Sequence, residues 1–198
     1  MKGTIIMRQL KKGSGSNNGN SKLKILAWTL TAAWMLVIFM LSAQPGTQSG
    51  SLSMGITQVF VRIIGFIFPL NPEKIANPDW LNNLDGIIRE CAHGAAYFIL
   101  ALFAANALKS CGLKGRSKLV LVTLAICAVY AVSDEIHQLF VPGRACELFD
   151  FEVDMLGAVC SLAISQSISF LVGRCKLKSL KRASFDSSRK LPTTRNRQ

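Results

Sequence analysis

Charged side chains are what this chain has least of. Only 17% of its 198 residues are Asp, Glu, Lys or Arg, and acids are the scarcer kind, 11 against 23 bases. A water-soluble domain of this size needs more polar surface than that composition supplies, so an ordinary soluble globule is excluded. Patterned cysteine is missing too. The six cysteines, at 91, 111, 127, 146, 160 and 175, show no CxxC or zinc-site spacing, which argues against zinc-ribbon and dithiol-redox classes. No HExxH, no phosphate loop and no serine or cysteine nucleophile motif occurs, so the common hydrolase and nucleotide-binding signatures are absent. Histidine appears twice in the whole chain.

What is present is apolar residue in long runs. Half the residues are hydrophobic and the mean hydropathy is +0.34. Ile25 to Ala43 is uncharged over 19 residues and Met155 to Gly173 over another 19. Cys91 to Leu108 is interrupted only by His93, and Leu119 to Ser133 carries no charge. A helix of about 20 residues crosses roughly 30 Å of hydrocarbon. The expected fold is therefore all-α: an integral membrane four-helix bundle with spans at about 25–43, 90–108, 119–138 and 154–173, the third completed by polar residues up to Gln138. The first run exceeds the usual apolar core of a cleaved secretory signal, so it reads as an uncleaved anchor.

The net charge of +12 is not spread along one face, which argues against nucleic acid as a partner. Instead 19 of the 23 Lys and Arg precede the first run, sit in the loop 109–118 or follow Gly173, whereas Asp186 alone of the 11 acids does so. Cytoplasmic loops carry the excess of Lys and Arg, so both termini are expected in the cytoplasm. Residues 1–23 and 174–198 read as basic, disordered cytoplasmic segments beside an anionic inner leaflet.

Between the first two spans lies a long connection, roughly 44–88. Its middle, 52–68, is apolar at Leu52, Ile56, Val59, Phe60, Ile63 and Ile67, with Gly55, Gln58, Arg62 and Gly65 opposite. That helical spacing predicts an amphipathic helix lying in the outer interface. A fifth span is the rival; it would put Arg62 in hydrocarbon at a cost of about 2.5–3.5 kcal/mol and would export the basic loop. Pro69, Pro72 and Pro78 then predict an irregular outer loop down to Trp80.

The chemistry collects at the outer ends of three spans. Arg89, His93, Tyr97, Ala101 and Ala105 recur every four residues on the second span and share a face. Tyr130, Asp134 and His137 share a face on the third, with Glu135 and Gln138 beside it. Asp150, Asp154, Gly157, Ser161, Ser165 and Ser169 form a small-residue stripe on the fourth, of the kind that lets membrane helices approach closely. Arg144 follows a Val141-Pro142-Gly143 turn that returns it over the helix end. The candidate binding residues are Arg89, His93, Tyr97, Asp134, Glu135, His137, Gln138, Arg144, Asp150 and Asp154. Cys91 and Cys146 fall near the same face, within reach of a bridge. Charges at that depth need partners.

Three readings stay open. The arginines neutralise the acids and hold helix ends together; or the cluster binds a headgroup, peptide or glycan, since arginines with carboxylates suit zwitterionic ligands; or it catalyses, with Asp134 orienting His137 as general base on a lipid-linked substrate. Two histidines with acids also match a divalent metal, but without diagnostic spacing. No metal or cofactor is expected.

At these residues the chain resembles the VanZ-like family of bacterial membrane proteins. The resemblance rests on Arg89, His93 and Tyr97, on Asp134-Glu135-Ile136-His137-Gln138 leading into Pro142-Gly143-Arg144, on Asp150, Asp154 and Gly157, and on Ser42-Ala43-Gln44-Pro45. It covers about 24–173. The chain departs from the pattern at Glu90, where Lys is expected, at Gly94, where an aromatic is, and at Asp154, often Asn. The resemblance implies a multi-pass protein of the plasma membrane and cell envelope, linked through the family's namesake to resistance to teicoplanin-type glycopeptides. Its implied partners are the bilayer and a lipid-linked cell-wall precursor or glycopeptide.

Overall fold

The computed structural model describes residues 21–68, 71, 73, 75 and 77–179 in full, and the backbone alone of 2–20, 72, 74 and 180–189. The segments expected to be disordered, 1–23 and 174–198, lie mostly outside the fully described residues. Among the described residues six helices follow in order: α1 (Lys2–Ser42), α2 (Gly46–Ile67), α3 (Pro72–Ile75), α4 (Pro78–Ser110), α5 (Arg116–Gln138) and α6 (Leu148–Arg189). Among the described residues, five stretches are long and apolar enough to cross a membrane: Ser21–Ser42, Gly46–Ile67, Pro78–Ser110, Arg116–Gln138 and Leu148–Ser179. The chain forms two compact units, 1–161 and 162–198, the second holding the remainder of α6.

The prolines punctuate differently from expectation. The loop expected to run to Trp80 ends at Asn77, because Pro78 opens α4 rather than interrupting it. Proline at a first helical position forfeits no hydrogen bond. Asn77 completes the start, its side chain accepting from the backbone N–H groups of Asp79 (2.9 Å) and Trp80 (3.4 Å). α4 is 33 residues long as a result, well beyond the expected span.

α4 is the centre of packing, in contact with α1, α2, α3 and α5. Its buried side is built from small residues, Ala101, Ala104, Ala105 and Ala107, beside Tyr97 and Leu100. Small side chains let neighbouring backbones come close where no hydrophobic drive separates helix from lipid. The core joins Tyr97, Leu100 and Ala101 to Ile38 of α1, Cys127 and Ala131 of α5 and Ala158 of α6. Polar atoms in the walls are satisfied across helices: Trp34 Nε1 donates to the Ala96 carbonyl at 2.9 Å, and Tyr130 OH donates to the Met35 carbonyl.

Two glycine contacts fix how the helix ends meet. Gly157 of α6 lies on Gly94 of α4 so closely that a Cβ at 157 would strike the Gly94 carbonyl. At Gly94 itself a Cβ would only make ordinary contact with Val153, 3.4 Å from its Cγ1, so the close approach is set by Gly157. The second contact joins the loop after α5 to the start of α2. Gly143 adopts φ +75°, the Pro142 carbonyl accepts from Gly46 N–H at 3.0 Å, and a Cβ on Gly46 would strike the Gly143 carbonyl.

α2 packs on α4 through Ser53, Thr57 and Val61, one residue round from the expected apolar strip. Leu52, Ile56, Val59, Phe60, Ile63 and Ile67 are exposed, and Arg62 is exposed on the far side.

Candidate functional site

The polar residues converge where α5 stops and α6 begins, but they divide into three groups with different partners. The first is a clasp. Arg144 Nη2 donates to Ser49 Oγ at 2.9 Å and its Nε to the Gln44 carbonyl at 3.4 Å, so the arginine binds the start of α2 and no carboxylate. Glu135, on the same side of the loop, accepts from the Glu147 backbone N–H at 3.0 Å just ahead of α6. A carboxylate there satisfies a donor at the helix start and complements its dipole. Cys146 donates its thiol to Glu135, and that thiol is pushed up from its ordinary pKa, first by desolvation and then by the Glu135 contact. Cys91 and Cys146 are free thiols, not a bridge.

The second group is the rim. Arg89 is half-exposed and its only described ion pair is with its chain neighbour Glu90, Nε to Oε1 at 3.9 Å. Asp150 is half-buried.

The third group is the interior. Asp134, Gln138 and Asp154 are 4%, 1% and 1% exposed, and Tyr97 is fully buried. Gln138 Nε2 donates to Ser42 Oγ at 2.9 Å and to Asp134 Oδ2 at 3.4 Å, linking α5 to the end of α1. His93 Nδ1 lies 3.8 Å from Asp154 Oδ1, an ion-pair distance but too long for a hydrogen bond. The strongest charged neighbours of Asp154 are themselves acids, Asp134 first and then Asp150, Glu135 and Glu90. The His137 ring tilts on Phe39 with centroids 4.5 Å apart.

Among the described residues, no Lys or Arg lies within ion-pair distance of Asp134 or Asp154. Six buried polar atoms there also lack a hydrogen-bond partner: both Asp154 carboxyl oxygens, Asp134 Oδ1, Tyr97 OH, His137 Nε2 and Glu90 Oε2. Buried polar groups are nearly always paired, so a concentration of unpaired ones marks a place where stability has been given up. The hydrogen bonds of Asp134 come from the Ser42 and Gln138 side chains, not from His137, so no Asp–His dyad is assembled. Among the described residues no three His, Cys, Asp or Glu side chains are grouped to hold a metal.

Of the sequence candidates, the structure brings His93, Tyr97, Asp134, Gln138 and Asp154 together, with His137 at their edge. It assigns Arg144 and Glu135 to the clasp and turns Arg89 outward. One polar centre has no counterpart in the sequence reading. Asp85 of α4, 9% exposed, accepts from Ser53 Oγ at 2.7–2.8 Å and Thr57 Oγ1 at 2.8 Å, pinning α2 to α4. The signal was available: Asp85 precedes Arg89 by one turn in the same four-residue series, and Ser53 and Thr57 are themselves four apart.

The family model described as VanZ/LLP1 matches residues 27–169. No curated protein and no solved structure matches the chain.

Proposed function

The chain belongs to the VanZ/LLP1 family, and from that premise we propose that it is a four-span plasma-membrane protein that binds a polar ligand in its acidic interior cluster at the outer leaflet. The ligand class is a lipid headgroup, a lipid-linked cell-wall precursor or a glycopeptide, and the consequence of binding is altered glycopeptide susceptibility. One observation carries the reading: among the described residues Asp134 and Asp154 are buried with no Lys or Arg to pair them, His93 at 3.8 Å from Asp154 Oδ1 being the nearest basic group, and three of their four oxygens lack a hydrogen-bond partner. A purely structural cluster would pair those acids with Lys or Arg, because unpaired buried charge costs several kcal/mol.

The orientation rests on charge and on α2. With both termini and the basic loop 109–118 in the cytoplasm, the α5–α6 loop and the cluster face outward. α2 then lies along the outer interface, where its exposed apolar strip enters the acyl boundary and Arg62 and Gln58 meet water.

The test is teicoplanin susceptibility of a sensitive Gram-positive host carrying empty vector, the wild-type chain, Asp134→Ala or His137→Ala, with membrane abundance measured by blot. Protection by the wild type that both variants lose at equal abundance is the expected result. Protection retained by both variants sinks the cluster as the ligand site, and variants that fail to accumulate mark it as structural.

A further inference from the structure

α5 carries a second feature that the acidic cluster does not account for. A groove of about 550 Å³, lined almost wholly by apolar atoms, runs along α5 from Leu121 through Ala125 and Val129 to Ser133, with Met35 of α1 forming its other wall. At 1.5 Å per residue the stretch from Leu121 to Ser133 is about 18 Å long. One leaflet of a hydrocarbon core some 30 Å thick is about 15 Å deep, so the groove has the length of one acyl chain. Tyr130 and Ser133 also line it, yet the Tyr130 hydroxyl donates to the Met35 carbonyl and the Ser133 hydroxyl to the Tyr130 carbonyl at 2.7 Å, so neither hydroxyl proton is free along the groove.

The polar group stands at one end. One turn beyond Ser133 on α5 is His137, and one turn beyond Met35 on α1 is Phe39. These two rings pack against each other at 4.5 Å, one turn past the residues that line the groove. His137 Nε2 is buried there with no hydrogen-bond partner. Beside it lie Asp134 on the same helix and Asp154 on α6, both without an arginine partner because Arg89 faces Glu90 and Arg144 is held by Ser49 and Gln44, and with His93, 3.8 Å from Asp154, as the nearest basic group. An apolar channel of acyl length, a lone imidazole nitrogen at its mouth and uncompensated carboxylates beyond it describe an amphiphile in three parts: chain, phosphate and ammonium.

We propose that the α1–α5 groove holds one acyl chain of a phospholipid with a primary ammonium in its headgroup, of the phosphatidylethanolamine type. His137 Nε2 meets the phosphate and the Asp134 side of the cluster meets the ammonium. This rests on the reading of the cluster as an outer-leaflet ligand site and names the class of ligand. The charge pattern selects against phosphatidylglycerol, whose headgroup brings a negative charge to an acidic site and no ammonium.

The test uses the full chain in phosphatidylcholine vesicles doped with a diazirine-acyl phosphatidylethanolamine or, in parallel, a diazirine-acyl phosphatidylglycerol. Labelled peptides are located by mass spectrometry. The expected label falls on 121–133 of α5, with the ethanolamine lipid favoured about tenfold. Ala125→Trp fills the groove at an exposed position, where folding tolerates bulk, and removes most of that label. Leu156→Trp, also lipid-facing but on α6, leaves it unchanged. Asp134→Asn keeps the groove label but abolishes the preference for ethanolamine. Label spread evenly over the exposed helix faces, label insensitive to Ala125→Trp, cross-links to a second copy of the chain in place of lipid, or equal labelling by the two lipids overturns the proposal. None of these outcomes bears on teicoplanin protection by the wild type and its loss in His137→Ala, which decide the underlying reading separately.

Discussion

Asp154→Asn separates a site from a strut. Asp154 is 1% exposed, its two carboxyl oxygens have no hydrogen-bond partner, and the nearest cation-forming group is His93 at 3.8 Å. If the aspartate were a strut, holding α6 to α4 through His93, removing its charge would break a buried pair. That loss typically runs to about 3–5 kcal/mol. For a protein of this size each kcal/mol moves Tm by roughly 2–4 °C, so the strut predicts a fall of about 6–20 °C. The site makes the opposite forecast. Asparagine has nearly the same shape, removes a charge surrounded by other acids, and brings an amide able to donate to Asp134. The variant should be neutral or up to about 3 kcal/mol more stable, with Tm unchanged or raised by as much as about 10 °C. Its effect on function should run the other way, since the carboxylate charge that binds ligand is gone. The assay is thermal unfolding of detergent-purified protein, read by loss of the monodisperse peak, alongside glycopeptide susceptibility of cells with matched membrane levels. A Tm fall of more than about 6 °C with susceptibility tracking abundance would refute the reasoning.

Other perturbations probe the frame around the cluster. Gly157→Ala puts a Cβ 2.8 Å from the Gly94 carbonyl carbon and 3.0 Å from its Cα, where ordinary contacts need 3.5–4.0 Å; forcing α4 and α6 apart should cost about 1–3 kcal/mol by thermal unfolding. Asp85→Ala leaves the Ser53 and Thr57 hydroxyls without their acceptor and should raise amide exchange across α2 while leaving α4–α5 protection unchanged, a loss of about 1–3 kcal/mol local to α2. Glu90→Lys places a cation beside Asp150, Glu90's strongest charged neighbour. It should raise Tm by the modest amount a partly exposed pair contributes, up to about 1 kcal/mol.

How much of this was legible in the sequence depends on what periodicity encodes. The long apolar runs revealed helices capable of spanning, and the four-residue series at His93, Tyr97, Ala101 and Ala105 correctly marked the side of α4 that packs. The stripe through Asp154, Gly157 and Ser161 marked the buried side of α6 for the same reason: face membership follows from spacing alone. Partner choice does not. Arg89 and Arg144 were natural counter-ions for the acids, yet each has a long flexible side chain that reaches whichever acceptor the backbone presents. For Arg144 that is the Gln44 carbonyl and Ser49, because the Gly46–Gly143 contact brings the α2 start against its turn. Pro78 read as a loop residue because proline is ambiguous between a turn and a first helical position until the cap at Asn77 is seen. Asp85 went unnoticed because its partners lie on a helix whose packing side is set by Ser53 and Thr57, not by its most apolar strip.

The account turns on the cluster facing outward, and two native thiols can decide it. Cys146 lies in the loop between α5 and α6 and Cys111 at the end of α4; both are free and exposed. Single-cysteine forms of the chain, treated in intact cells with a membrane-impermeant maleimide at mildly alkaline pH, which offsets the smaller thiolate fraction of the raised Cys146 thiol, report which side each loop occupies. Four spans with α2 in the interface predict Cys146 labelled in intact cells and Cys111 labelled only after permeabilisation. The reverse pattern would place the acidic cluster at the cytoplasmic face, as a membrane-crossing α2 would, contradicting an outer-leaflet site.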